Sequence, residues 1–363
     1  MSIEDELKKD GIIVKEPLDA LSRTLISKYV AEKFVSFFPF SRFHYHDLFT
    51  RICRLDMYFA DIPEGISEAN YFYKNSTIYF KSGLPVDEMK KLCVHEFLHH
   101  FQEIKDQRNN LYRLGLCDFT GVKVHGMALN EAAVQLISSK ILKVKEETVK
   151  YYDIEFPTIT PTYYPLLCNL INQMAYVVGD VVLYDSTMYS NDRFKTAFIN
   201  LTSESTFNSV ERNFDKILDT EEKIIIATSK IQNNNLSDNE IARISSKIGF
   251  YKKVVQNTFI ETQNKIFTSH FNKRLNNLYS TQDIEDFRKK LYGYKNLIGV
   301  TENYTYFNDY YINMMVKLDE VYERITGETS LLPYRRSIWQ IITSKIASLL
   351  GIREKETENA KII

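Results

Sequence analysis

His95, Glu96 and His99 stand in the order His-Glu-Phe-Leu-His, a spacing that can do metal chemistry. A helix turns about 100° per residue, so the two histidines fall one turn apart on one face. Two imidazoles so placed hold one Zn²⁺, and Glu96 beside them reaches a water on the metal. With 7 His in 363 residues, chance produces the pattern in roughly one such chain in a hundred. On a helical wheel Cys93, Phe97 and Phe101 gather opposite the histidines, flanked by Val94 and Leu98. The spacing predicts a helix with an apolar back to bury and a polar front that carries the chemistry.

A catalytic zinc keeps three protein ligands and one open position, so a third ligand is required. A metzincin arrangement needs Gly and His three and six residues after the second histidine. Gln102 and Lys105 stand there, which excludes it. An aspartate ligand would have to be Asp118, but it lies in a Gly-rich turn region where a solvated loop acid is the better reading. A glutamate from a second helix fits Ala128-Leu129-Asn130-Glu131-Ala132-Ala133-Val134-Gln135. Gly126 ends a loop, helix formers follow, and the two alanines let helices approach closely.

With His-Glu-x-x-His followed by a helix carrying Asn-Glu, the stretch from about Asn75 to Gln135 resembles the gluzincin, or thermolysin-like, metallopeptidases. The resemblance implies zinc held by His95, His99 and Glu131, with Glu96 as general base. One position departs from the family pattern. One helical turn after the glutamate ligand those enzymes carry an acid that accepts a hydrogen bond from a ligating histidine, and here the residue is Gln135. Its carbonyl accepts the same bond but raises ligand basicity less. The family also uses a Tyr, His or Arg after the third ligand to stabilise the oxyanion. Tyr164, at the start of an apolar helix after Pro161, is the expected donor, with Tyr163 and His125 as alternatives. His100 is rotated about 100° from His99 and cannot share the metal. His44 and His46 alternate as in a strand or loop, and His270 has no partner in sequence.

The flanking segments are predicted to supply a small sheet. Met57 to Ile62, Ala69 to Tyr73 and Thr77 to Lys81 are rich in strand formers. Asp61-Ile62-Pro63-Glu64-Gly65 and Lys74-Asn75 form the turns between them. Leu84-Pro85 then opens the metal helix, with Asp87 and Glu88 in its first turn. The resemblance places Thr77–Lys81 at a sheet edge above the zinc, where an extended peptide could add as a strand.

The whole chain reads as α+β. A zincin-like lobe over 1–147 holds the mixed or antiparallel sheet and both metal-bearing helices. A mostly α-helical lobe over 148–363 completes the cleft. Within the first, a strand is expected at Gly11 to Val14 and a helix from about Leu18 to Phe37. Lys143 to Glu147 is a charged closing stretch, and Pro157, Pro161 and Pro165 punctuate an irregular lead-in to one long apolar helix ending near Tyr184. Later helices break at Asn233-Asn234-Asn235 and start again at Ser237-Asp238-Asn239-Glu240, a capping box, and at Ser280-Thr281-Gln282-Asp283. Glu354 to Lys361 is charged and expected to fray.

Composition narrows the partners. Net charge is −1, with 46 basic and 47 acidic residues, so no nucleic-acid surface is expected. Met1 to Glu6 is unlike a secretory signal, and Asn169, Asn172, Gln173 and Asp180 interrupt the longest apolar run, so no membrane span is expected. Cys53, Cys93, Cys117 and Cys168 form no CxxC pair and read as free thiols of a cytoplasmic protein. The expected function is zinc-dependent endopeptidase action on a peptide or protein substrate. Two other classes compete with it. A catalytically silent zincin-like protein would keep the ligands while its helical lobe binds a partner protein. A helical interaction protein with a fortuitous motif would bind no metal. An intact Glu96 favours the enzyme, because a structural site needs only ligands.

Overall fold

Among the described residues, short runs of alternating and β-branched residues build three small sheets, and helices supply the rest of the regular structure. The computed structural model describes residues 3–9, 11–38, 43–63, 67–108, 110–120, 124–233, 236–300 and 306–328. Glu64 and Gly65 of the expected turn, Asn234 and Asn235 of the expected break, and the 354–361 tail lie outside these residues.

Helix α1 (Ile3–Lys9) leads into β1 (Ile13–Pro17), α2 (Ala20–Phe37) and α3 (Tyr45–Cys53). Asp19 caps α2, its carboxylate accepting from the Leu21 and Ser22 amides, which satisfies two of the donors a helix start leaves open. His44 and His46 therefore sit at and in the start of a helix, not in a strand. Strands β2 (Asp56–Asp61), β3 (Ala69–Phe72) and β4 (Thr77–Lys81) follow, in the order β1-β2-β4-β3. β2 and β4 are parallel and the other two pairings antiparallel, so the sheet is mixed.

That order corrects one expectation. Thr77–Lys81 is an inner strand with Thr77, Ile78, Tyr79 and Phe80 buried, and the edge is β3. The hairpin turns back after β3, so the strand nearest the metal helix in sequence pairs on both sides. Nor does this edge lie open: Ala69 is 1% exposed and Tyr71 9%. Lys81 N–H donates to Glu68 O at 2.9 Å. Alternation along the antiparallel ladder therefore turns the Tyr71 amide away from β4.

Helix α4 (Val86–Gln102) starts at Pro85 and packs its back into the main core. Cys93, Val94, Phe97 and Leu98 bury there with Val30, Phe34, Ile78, Phe80, Val134 and Ile137. A second sheet, β5 (Glu103–Lys105), β6 (Leu111–Leu114) and β7 (Cys117–Asp118), fills the Gly-rich connection. Gly126, at φ 79°, then starts α5 (Met127–Ile141), which lies against α4.

The irregular lead-in holds over 159–164, but a hairpin not expected from the sequence precedes it, β8 (Glu147–Tyr151) with β9 (Ile154–Thr158). Pro157 is tolerated because β9 is an edge of a two-stranded sheet. The single long apolar helix is two helices, α6 (Pro165–Val178) and α7 (Asp180–Tyr189), bent 112° at Gly179. Gly179 has φ 116° and ψ 130°, which no helix accommodates.

Helices α8 (Arg193–Leu201), α9 (Glu204–Asn233) and α10 (Asp238–Leu275) follow. Both expected helix starts behave as caps: Ser237 N–H and its hydroxyl donate to Glu240, and Ser280 and Asp283 bond reciprocally. The chain forms two units, the larger comprising Met1–Phe271 with Asn296–Glu302. The smaller is built on α11 (Thr281–Lys295) and α12 (Tyr306–Thr326), tied by Arg288 to the buried Asp319 at 3.0 Å. No single helix among the described residues is long and apolar enough to cross a membrane. All four cysteines are free thiols, three of them buried.

Candidate metal centre

The polar front of α4 faces α5 rather than solvent. His95, His99 and Glu131 bring one donor atom each to within 4.8 Å of one another. The Nε2 atoms of His95 and His99 are 3.1 Å apart. Glu131 Oε2 lies 3.6 Å from the first and Oε1 3.5 Å from the second. Donors about 2.0–2.1 Å from a tetrahedral zinc are separated by about 3.3–3.4 Å, close to the distance between the two nitrogens and to that from each nitrogen to its nearer Glu131 oxygen. No fourth His, Cys, Asp or Glu joins the group among the described residues.

The donor chemistry fits the ion as well. His95 Nδ1 lies 2.9 Å from Gln135 Oε1, and Gln135 Nε2 donates to Ser139 Oγ. Ser139 fixes the amide orientation, so the imidazole donates from Nδ1 and aims the Nε2 lone pair at the centre. Gln135 thus occupies the place where the family carries an acid. Gln135→Leu should weaken zinc binding about 10- to 100-fold and Gln135→Glu should strengthen it, both read by competition with a chelating dye. Equal affinity in all three proteins would remove that role from Gln135.

His99 is buried, which disfavours its charge, but the Glu131 carboxylate outweighs burial and raises the imidazole to about 9. Burial likewise opposes the Glu131 charge, yet the two histidines hold its carboxyl far below the usual range. His99 Nδ1 is buried without a well-aligned hydrogen bond, the Gln102 amide lying beside it.

Sequence reasoning missed what spaces the two helices. Gln102 at the end of α4 and Asn130 on α5 bond amide to amide at 3.3 and 3.4 Å. Asn130 Oδ1 also accepts the Leu116 N–H at 3.0 Å. Gly115 N–H donates to Ser190 Oγ, whose hydroxyl donates to Gln102 O. A Cβ on Gly115 would stand 2.1 Å from Asn130 Oδ1 and 2.5 Å from Gln102 Nε2. Only glycine fits, and its φ of 58° favours glycine again. Nothing in the sequence marks Ser190, 88 residues from Gln102.

Glu96 lies outside the ligand set, 5% exposed, with Oε2 accepting the Tyr71 N–H at 2.7 Å. Burial raises its pKa and the Glu131 charge adds to this, against the two histidines and the Tyr71 amide. A raised carboxyl pKa is what a general base working near neutrality needs.

Tyr164 caps α6 in the left-handed conformation, φ 50°, a strained state for a tyrosine. Burial raises its phenol pKa, and the Glu131 and Glu96 charges add to that, so it remains an O–H donor. Tyr163 is half-buried; burial raises its phenol pKa, and the Glu68, Glu88 and Glu96 charges add to that. The structure therefore brings Tyr164 into the field of both site carboxylates. His125 and Asp118 go elsewhere, lining a separate cavity of about 290 Å³ with Arg113 and Glu211. Asp118 is occupied by Thr120, at 2.8 Å from its amide and 2.6 Å from its hydroxyl. His100 bonds Arg51 and Tyr71. No family model, curated protein or solved structure matches the chain.

Proposed function

We propose that this protein is a zinc-dependent endopeptidase of the gluzincin type, its zincin-like lobe holding the ion on His95, His99 and Glu131. The observation that carries the reading is the division of labour at the site. Three donors converge within 4.8 Å of one another, and a further buried carboxylate beside them, Glu96, is held out of the ligand set by the Tyr71 amide. A structural zinc has no use for that second acid, and it is closed by a fourth ligand.

Zinc bound there supplies Lewis-acid polarisation of a peptide carbonyl and brings a water towards neutral pKa. Glu96 takes the proton from the attacking water and returns it to the departing amine nitrogen. With Oε2 engaged by Tyr71, Oε1 is the proton-accepting atom. Tyr164 donates its O–H to the oxygen that gains negative charge. Gln135 keeps the His95 Nε2 lone pair directed at the centre.

The test is a cleavage-site map of a peptide library digested by the zinc-loaded protein, with Glu96→Gln as control. Cleavage products confined to the unmodified protein are expected. Full zinc occupancy with no cleavage of any peptide would leave the ion a structural role. Tyr164→Phe should lower kcat by about ten- to a thousandfold without releasing zinc, since one oxyanion donor is lost while base and ligands remain. An unchanged kcat would return Tyr163 to consideration.

A further inference from the structure

A base works only if one carboxylate oxygen is free and correctly aimed, so what holds the other oxygen matters. Glu96 Oε2 is held by a backbone amide of the edge strand, Tyr71 N–H, which the β3–β4 ladder leaves unused. The same residue is anchored a second time through its phenol. Tyr71 Oη lies 2.9 Å from His100 Nδ1 and 2.8 Å from Glu103 Oε1. His100 Nε2 faces Arg51 Nε at 3.1 Å. Arginine can only donate, so Nε2 accepts and Nδ1 carries the hydrogen. The phenol then accepts from His100 and donates to Glu103, with every group satisfied once.

Glu96, His100 and Glu103 fall at spacings of four and seven, one stripe along α4 and its end. Tyr71 lies along that stripe, amide at one end and hydroxyl at the other. Lys105 secures the far end, pairing with Glu103 Oε2 at 2.8 Å and donating to Tyr73 O at 2.9 Å.

We infer that Tyr71 is a positioning residue for the reaction: its amide fixes Glu96 Oε2 so that Oε1 receives the proton, and its phenol fixes the amide. What the base does rests on the peptidase reading above; the contact itself does not. A tyrosine that merely glued the strand to the helix would affect folding or metal binding and leave the chemical step alone.

The experiment replaces the Tyr71 backbone N–H by an ester oxygen, using the α-hydroxy analogue of tyrosine at position 71. The side chain and every N–H of the β3–β4 ladder are kept, and only the Asn70 carbonyl becomes a weaker acceptor opposite Tyr79. With a peptide substrate, kcat should fall about ten- to a hundredfold, the effect of losing one hydrogen bond to a charged group. KM and zinc affinity should stay within about twofold, because no ligand is touched. Tyr71→Phe should act in the same direction more weakly. A separate measurement needs no catalysis: with ¹⁵N-tyrosine labelling, the Tyr71 amide proton should move upfield in Glu96→Ala. An unchanged kcat in the ester protein overturns the inference, as does an effect on KM or zinc affinity alone. An amide resonance indifferent to Glu96→Ala overturns it too. If the unmodified protein cleaves no peptide, the peptidase reading falls, and the amide shift alone decides whether Tyr71 holds Glu96.

Discussion

On the proposed peptidase reading, Glu96→Gln should lower peptide hydrolysis by about 10²- to 10⁴-fold with zinc still bound, the range a positioned general base contributes. Glutamine has the size of glutamate and its carbonyl oxygen still accepts the Tyr71 N–H, so the contact at 2.7 Å survives. What disappears is a group able to take a proton. The ligands His95, His99 and Glu131 are untouched, so occupancy measured by elemental analysis should match the unmodified protein. Thermal unfolding should move little, because the glutamine amide keeps the shape of the glutamate and the bond from the Tyr71 N–H, and burial already disfavours the charge that is lost. Hydrolysis that survives at full rate in a metal-loaded Glu96→Gln protein sinks the mechanism.

Glu131→Ala should release zinc. Binding free energies of about 10–16 kcal/mol for four-ligand sites assign roughly 2.5–4 kcal/mol to each ligand, a factor of about a hundred to a thousand in affinity. The variant also leaves the two Nε2 atoms, 3.1 Å apart, without the carboxylate that balances a positive charge between them. Asp118→Ala is the control and should bind zinc normally, since Thr120 already occupies that carboxylate. Acid should weaken zinc in the unmodified protein. With His99 raised to about 9 in the metal-free state, the imidazole is protonated near neutral pH and must lose that proton to ligate. Protons therefore compete harder as pH falls, and affinity at pH 6 should be lower than at pH 8. Zinc affinity unaltered in Glu131→Ala would mean that the third ligand is another residue.

What was legible beforehand was whatever depends on short spacings. The one-turn separation of His95 and His99 is a property of any helix, and the helix was announced by Pro85, its first-turn acids and the apolar set around Phe97. Glu131 could be placed because Gly126 and the following alanines mark a helix start, and Gln135 then had to face the same side. Tyr71, Gln102, Asn130 and Ser190 were not legible as a set. Each owes its role to a partner on another element, and hydrogen bonds across 25 or 75 residues leave no periodic trace. The sheet order failed for a related reason. Strand-forming stretches say which segments pair but not which one ends up at the edge, and the parallel pairing of β2 with β4 pushed β3 outward. Hydropathy likewise joined α6 to α7, because one glycine carries too little weight in an apolar run.

That glycine decides how far the chain travels. Had the stretch from Pro165 to Tyr189 continued straight, its end would stand about 37 Å from its start, at 1.5 Å per residue. Turned through 112° at Gly179, the arms of 14 and 10 residues leave the end only about 21 Å from the start. Neither arm, at about 21 and 15 Å, reaches across roughly 30 Å of hydrocarbon. The shortened path delivers Ser190 to Gln102 and Gly115, so a corner between two apolar helices sets the reach that lets one hydroxyl close the spacing between α4 and α5.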